Sequence, residues 1–482
     1  AYEKKTNLIF EEKELYSELN KASFFIDISS FIKSIEKPRK LLILVPAGEP
    51  TDHVINNLLD ILDEDDIIID AGNTNPVVSF NNKLKIQKNK MLYLGIGVSG
   101  GTEGVLRGPS IMIGGHEAAF NKVKDDLSII TSKTIKNTSS FDFFGDTNQG
   151  HFVKMVHNGI EYVEMQLIAS IYELLINSNN YKNQEIADIF DEWNSTELKS
   201  YLLEISIKQI LQKIDDKYLI KKIDDEAGDN GTGRWMLNYG IELGSPLSML
   251  SSAMDTRFIS RFKTLRKEIS EMTNQRSKRY TIDINSLKKA YQFCRHINFI
   301  QAFCLINASN KKYGWNISIS KALNVWSNGS IIKSSQINDL YFNYSVENIL
   351  SDGFIEHNNF DNNELLEEKY FINENYRKIR KKLIKDIADA RIDEITNIIL
   401  NKNVNLRSFK KNYGTIFLII KDKRILDNFK ENFKSNFSQN INFKLSFFND
   451  LEVNSIIMNT AKILVQGWKK EAIPITQTKN SL

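Results

Sequence analysis

Between Gly150 and Met165 one helix-length stretch makes two opposed demands on any fold. Phe152, Val153, Val156, Ile160 and Val163 are apolar over much of the surface that such a helix presents, so it belongs in a core. Lys154, His157, Asn158, Glu161 and Tyr162 fall at i, i+3, i+4, i+7 and i+8, which sets five polar side chains along one stripe of the same helix. Burying that stripe is costly unless something satisfies it. Two readings meet the requirement: a polar network internal to the protein, or the wall of a ligand site. At 482 residues and 41% hydrophobic, the chain exceeds one typical core, so two or three domains are expected around that helix.

Ahead of the stripe, short apolar runs at Leu41–Val45, Ile67–Ala71 and Met91–Ile96 alternate with amphipathic segments such as His53–Leu62. The alternation predicts a parallel sheet with helices on its faces. Gly95-Ile96-Gly97-Val98-Ser99-Gly100 matches G-x-G-x-x-G directly after a strand, but no acidic residue follows at the end of a strand about 20 residues on, where a ribose partner belongs. From Gly150 to about Ser335 the chain reads as long helices, the first over Gly150–Asn177. A net charge of +3 argues neither for nor against nucleic acid. The two cysteines, Cys294 and Cys304, sit in an apolar helical stretch and suit reduced, buried thiols of a cytosolic protein. The six histidines show no metal-ligand spacing, so no structural metal is expected. No apolar run approaches a membrane span and no signal peptide stands out, so a cytoplasmic protein without membrane or nucleic-acid partners is expected.

The run G-H-F-V-K-M-V-H-N-G-I-E-Y, Gly150–Tyr162 here, resembles the signature of the 6-phosphogluconate dehydrogenases, the decarboxylating enzymes of the pentose phosphate pathway. The resemblance implies an α/β Rossmann-like N-terminal domain, incomplete, over residues 1–148, followed by a mostly α-helical substrate and dimerisation domain over 149–340. Residues 341–460 then read as a divergent α+β insertion, and 461–482 as a truncated return of the helical pattern. Gly97–Gly104 is similar to the family's substrate loop, Gly-Val-Ser-Gly-Gly-x-Glu-Gly, which implies that Ser99, Gly100 and Gly101 bind the sugar acid. Asp70-Ala71-Gly72-Asn73-Thr74 resembles Asp-Gly-Gly-Asn-Ser, so Asn73 would touch both nicotinamide and substrate. Val45, Pro46 and Ala47 align with a cofactor loop, and Lys4 stands where the family's arginine holds the 2′-phosphate of NADP. Thr232 and Arg257 would join Tyr162 at the substrate phosphate, with His157 and Asn158 on hydroxyls or the carboxylate.

On this resemblance Lys154 is the general base, because burial lowers a lysine's pKa, and Glu161 is the general acid. Their spacing of two helical turns lets them flank one small substrate. The implied reaction is oxidation of 6-phosphogluconate by NADP, loss of CO₂ and release of ribulose 5-phosphate, in a homodimer. Several positions depart from the pattern. Pro46 replaces a lysine and lacks a backbone donor, and Asn230 replaces a lysine in Glu226–Trp235. Trp326–Ser334 resembles a structural turn between helices. The family's Gly-rich strand–turn unit would lie before Ala1 and its tail after Leu482, so slow turnover of 6-phosphogluconate and preferential binding of substrate over NADP are expected of the chain as written. Two rivals stand beside this reading: a non-catalytic homologue kept as a binding or structural protein, and a related β-hydroxyacid dehydrogenase.

Overall fold

The computed structural model describes residues 2, 21–178, 181–273 and 281–342, with short stretches at 365, 380–383, 386, 389–390, 393–394, 415–419 and 444–448. The chain divides into two compact units, Ala1–Tyr341 and Phe342–Leu482.

In the first unit, α1 (Ile28–Lys33) leads into β1 (Lys40–Ile43), and α2 (Glu49–Leu59), β2 (Ile67–Asp70), α3 (Pro76–Lys88) and β3 (Leu92–Ser99) follow. The three strands are parallel neighbours, with Ile43 beside Asp70 and Asp70 beside Gly95. All four residues of β2 are buried, which requires cover on both faces of the sheet. Ile67 and Ile69 share one face with Leu94 and Ile96, whereas Ile68 shares the other with Leu41, Ile43 and Tyr93, under Ile55 and Leu58 of α2 and Ile86 of α3.

The parallel sheet expected from the three apolar runs holds over β1, β2 and β3, and the pairing reverses after it. A short helix, α4 (Gly101–Arg107), leads into β4 (Ser110–Gly115), which pairs with β3 antiparallel; α5 (Glu117–Ile130) and the parallel edge strand β5 (Phe141–Phe143) complete the sheet. The reversal is built by glycines: Gly100, Gly101 and Gly108 hold φ of +137°, +57° and +94°, a region that favours glycine. α5 covers the Ile67 face with Ala119, Val123 and Leu127.

Next comes the long helix α6 (Gln149–Ser178), matching the stretch read as helical to within two residues at each end. It is followed by α7 (Asn183–Asn194), α8 (Tyr201–Leu211), the hairpin β6 (Lys213–Ile214) and β7 (Lys217–Tyr218), α9 (Thr232–Leu243), α10 (Ser248–Ser260), α11 (Lys263–Thr273), α12 (Ile284–Tyr313) and α13 (Ile319–Trp326). α6 packs on β3 and β4 and also on α9, α10 and α12, so it is shared by the sheet and the helices. Its seat on the sheet consists of backbone. A Cβ on Gly150 would collide with Gly114 N and Gly95 O. Deeper along the helix, Glu164 accepts from Arg295 Nε at 2.9 Å, and Arg295 Nη1 donates to Leu198 O at 3.0 Å, a buried link to α12 that fixes the helix's rotation. The expectation of buried thiols fails. Cys294 is half-buried and Cys304 exposed, because α12 turns Tyr291, Arg295, Asn298, Phe299 and Ala302 to the core instead.

In the second unit β8 (Thr415–Ile419) and β9 (Lys444–Phe448) pair in parallel, within the stretches Thr415–Ile420 and Phe443–Phe448 that read as strands. Residues 461–482, Lys4 and most of the basic run Tyr376–Lys385 lie outside the described residues. Among the described residues no helix is long and apolar enough to cross a membrane.

The backbone seat of α6 makes a prediction. Gly150→Ala meets backbone that cannot give, and should destabilise the chain by ~1–3 kcal/mol, read as a lower midpoint of urea unfolding. Gly228→Ala, where an added Cβ meets nothing within 4 Å, should leave the midpoint unmoved.

Candidate active site

β3 alternates, so Tyr93, Gly95, Gly97 and Ser99 share one face of the sheet. Each of the last three meets a successive turn of α6. A Cβ on Gly95 would come within 2.8 Å of His151 Nδ1, one on Gly97 would run into the Lys154 stem, and Ser99 Oγ lies 2.9 Å from His157 Nε2. The G-x-G-x-x-G match is therefore no phosphate loop. Gly95 and Gly97 lie inside a strand and are small so that helix side chains can lie against the sheet.

His157 is fully buried and its ring is saturated with partners. Nε2 is 2.8 Å from Ser330 Oγ as well as 2.9 Å from Ser99 Oγ, and Nδ1 is 3.1 Å from Asn158 Oδ1. Burial, aided by the neighbouring Lys154 charge, holds its pKa well below 6.5, so the ring is neutral. A neutral ring donates from one nitrogen. Nδ1–H then serves Asn158, and Nε2 offers its single lone pair to the two serine hydroxyls, which share it. Those serines in turn accept from Ile331 N at 3.2 Å and Ile332 N at 3.2 Å. Glu161 Oε2, 3.7 Å from His157 Nδ1, therefore faces an uncharged ring rather than completing an ion pair.

Lys154 and Glu161 are the charged pair. Lys154 is 6% exposed, and burial pushes its pKa from 10.5 down to about 8 against the opposing pull of the Glu161 carboxylate. Burial likewise raises Glu161 above 4.5, partly offset by Lys154 and Arg257. Each is displaced toward its uncharged form, which suits a base that must accept a proton and an acid that must give one.

At the far end of the stripe, Asn158 Nδ2 donates to Thr232 Oγ1 at 3.2 Å, and Thr232 Oγ1 donates to Asn230 Oδ1 at 2.7 Å. Tyr162 OH donates to the same Asn230 oxygen at 3.0 Å. The Arg257 guanidinium stacks 4.1 Å above the Tyr162 ring and donates to Gly228 O at 2.7 Å. Lys154, His157, Asn158, Glu161, Tyr162, Ser99, Thr232 and Arg257 thus occupy one connected region. Gly100 is buried and Gly101 exposed at the turn beyond Ser99.

Asn73, half-buried, stands apart from this network on the turn after β2, beside the loop after β1. Gly72 brings the two together: a Cβ there would sit 3.2 Å from Val45 O. Val45 and Ala47 are half-buried and Pro46 is exposed on that neighbouring loop. Two contributions escaped the sequence reading. Ser330 belongs to a turn read as structural, yet its hydroxyl bonds the central histidine. His151 lies one turn before Lys154 on the same stripe and is wholly buried in a second polar chain.

Comparison with known proteins agrees with the resemblance. A family model described as the C-terminal domain of 6-phosphogluconate dehydrogenase matches residues 150–396, and one described as the NAD binding domain of 6-phosphogluconate dehydrogenase matches residues 3–138. The chain is 36% identical over 338 residues to proteins named 6-phosphogluconate dehydrogenase, decarboxylating, from Staphylococcus epidermidis and Staphylococcus aureus, covering 68% of this chain and 72% of each relative. A solved structure of Plasmodium falciparum 6-phosphogluconate dehydrogenase, described in apo form and in complex with NADP+ and with 6-phosphogluconate, superimposes with a TM-score of 0.65 at 31% identity, covering 70% of this chain and 74% of that one.

The buried lysine carries a stability cost that can be measured. Displacement from 10.5 to about 8 corresponds to roughly 3 kcal/mol spent below pH 8 in keeping the charged form dry. The folded state binds fewer protons than the unfolded state between these values, so the cost fades as pH rises from about 8 to 10.5. Lys154→Met should therefore raise the thermal midpoint at pH 7, and the gain should shrink as pH rises through that window. A gain that grows with pH would contradict the assignment.

Proposed function

Because the chain belongs to the 6-phosphogluconate dehydrogenase family, we propose that it oxidises and decarboxylates 6-phospho-D-gluconate to ribulose 5-phosphate and CO₂ with reduction of NADP, using Lys154 as general base and Glu161 as general acid. The observation that carries this reading is the pair itself: a lysine and a glutamate two turns apart on one buried helix face, both displaced toward their neutral forms. A network kept only for stability would gain little from an ammonium whose burial outweighs the pull of its carboxylate partner.

In this scheme neutral Lys154 takes the proton of the C3 hydroxyl as hydride leaves C3, producing a 3-keto acid. NADP, when bound, supplies the hydride acceptor. The ammonium of Lys154 then returns its proton to the C3 oxygen as the C1–C2 bond breaks, its electron pair forming the enediol and CO₂ departing. Glu161 delivers a proton to the carbon that lost CO₂, and the C3 hydroxyl of the enediol gives its proton back to the now neutral Lys154 as it becomes the ketone. Ser99 and the backbone of Gly100 and Gly101, with His157 and Asn158, hold the hydroxyls and carboxylate; Tyr162, Thr232 and Arg257 hold the phosphate. Because His157, Ser99, Asn158 and Thr232 are hydrogen-bonded to one another, a substrate bound there exchanges internal bonds for new ones. The turns bearing Val45, Pro46, Ala47 and Asn73 adjoin at the carboxyl ends of β1 and β2, where a dinucleotide's nicotinamide fits an open α/β sheet. Lys4, aligned with the 2′-phosphate contact, lies outside the described residues.

We extend the proposal to a cytoplasmic homodimer. Ile259, Phe262, Met272 and Phe293, on and beside the outer faces of α10–α12, are all more than half exposed, which supports a covered face. Sedimentation equilibrium reads the oligomeric state directly, and a monomer at micromolar concentration would remove that part of the reading.

The chemical test follows NADPH absorbance with 6-phosphogluconate. Glu161→Gln should lower kcat by ~10²–10⁴ while KM changes only a few-fold. The wild-type rate should climb toward pH 8 as Lys154 loses its proton, and Lys154→Met should have too little activity to show that limb. A Glu161→Gln enzyme with wild-type kcat would overturn the assignment of the acid.

A further inference from the structure

Behind the acid–base stripe runs a second line of buried polar side chains for which the chemistry above has no use. Asp70, the last residue of β2, is wholly buried. Its Oδ1 accepts from Gly72 N at 3.1 Å, and its Oδ2 accepts from Thr74 Oγ1 at 2.8 Å and from Tyr93 OH at 3.2 Å. The first two bonds clamp the turn that carries Asn73 from both sides. Tyr93 Oη lies 3.1 Å from Ser79 Oγ, and Ser79 Oγ lies 2.8 Å from His151 Nδ1. The line therefore begins one turn before Lys154 on α6 and ends at Asn73.

The proton directions follow from counting donors. A carboxylate only accepts, so Tyr93 spends its one proton on Asp70, and Ser79 spends its own on Tyr93. Ser79 is left to accept from His151, which must carry its hydrogen on Nδ1. Burial lowers the pKa of His151, so the ring is neutral, and Nε2 is buried without a hydrogen-bond partner. Every member is at least nine-tenths buried, and Asp70, Tyr93 and Ser79 are fully so. Four polar side chains in the dry heart of a sheet cost more than apolar ones of the same shape, and stability alone would favour the apolar set. What the polar line adds is a defined geometry between its two ends.

We propose that His151 is a positioning residue. Through Ser79 and Tyr93 it fixes Asp70, and through Asp70 it fixes the turn that presents Asn73 at a set distance from Lys154. This rests on the proposed function, in which Asn73 meets nicotinamide and substrate together. The separation that matters is between the carbon losing hydride and the groups on either side of it, and a misplacement of about 1 Å there can cost ~10²-fold.

The test uses the full chain and three variants. Tyr93→Phe keeps the ring and deletes the hydroxyl that joins the two halves of the line. His151→Leu deletes the donor, and His151→Asn restores one near the position of Nδ1. Tyr93→Phe and His151→Leu should lower kcat ~10- to 10²-fold with KM for 6-phosphogluconate within about twofold. Both should speed amide hydrogen exchange at residues 71–75 with no change in β4 or α12, and His151→Asn should recover kcat and exchange protection together. Variants that lose thermal stability yet keep kcat per folded enzyme and unchanged exchange at 71–75 would reduce the line to a structural weld. Wild-type chain without dehydrogenase activity would sink the functional reading instead, and the exchange and rescue measurements would still decide the positioning role.

Discussion

The close approach of α6 to β3 is the contact on which the rest of the first unit depends. A helix normally stands off a sheet because side chains fill the space between. Here Gly95, Gly97, Gly114 and Gly150 remove those side chains, and helix backbone comes down onto strand backbone. The gap closes, and polar side chains on the facing turns of α6 are pressed against the strand in register: His151 at Gly95, Lys154 at Gly97, His157 at Ser99. The perturbed protonation equilibria of Lys154, His157 and His151 follow from this packing, and burial is the first cause of each.

Such a helix needs holding against rotation, since a small turn about its axis would swing the stripe off the strand. The restraint comes from both sides. On one side, Asn148 Nδ2 donates at 2.8 Å to the carbonyl of Pro76, the first residue of α3, just before the helix starts. Toward the helices, the Glu164–Arg295 pair and the bond from Asn298 Nδ2 to Ile160 O at 3.0 Å grip the opposite flank. A buried ion pair adds little net stability when its desolvation is counted, but removing one partner strands the other. Its contribution here is orientation: it selects the one rotation at which five polar groups face the site.

Much of this was legible in the sequence because it is local. The stripe repeats at helical spacing within sixteen residues, and the helix bounds and the connected cluster follow from that pattern. The parts that were not legible join distant segments or invert a local rule. Ser330 reaches His157 across 173 positions, and His151 reaches Ser79 across 72; no periodicity reports either. The serine that closes the cluster sits in a turn whose residues look merely structural until the fold brings it under the histidine. The missing ribose partner rightly counted against a phosphate loop at Gly95 and Gly97, but what the glycines do approach was not legible, because glycine permits close approach of any group, a phosphate or a helix, and spacing cannot say which. The reversal at β4 was missed because the apolar run Ser110–Gly115 shows nothing of its direction. Only the glycines around it do.

The far end of the stripe shows how a departure from a family pattern can be absorbed. Asn230 stands where the resembling motif has a lysine, and the loss of a cation there looked like the loss of a contact. In the structure Asn230 Oδ1 gathers Tyr162 OH and Thr232 Oγ1, so the residue fastens its loop to α6. The same loop is held from beneath by Asp229, whose side chain is 1% exposed and accepts from Arg261 at 2.6 Å, Arg234 at 3.2 Å and Gly231 N at 2.8 Å. One carboxylate thus holds two guanidiniums in place beside Arg257, which is itself steadied over the Tyr162 ring. Under the proposed function, an anion arriving here would meet Arg257 held over an aromatic ring rather than a flexible lysine. Less side-chain entropy is then lost on binding, and the planar, bidentate geometry of guanidinium suits a phosphate better than a point charge does.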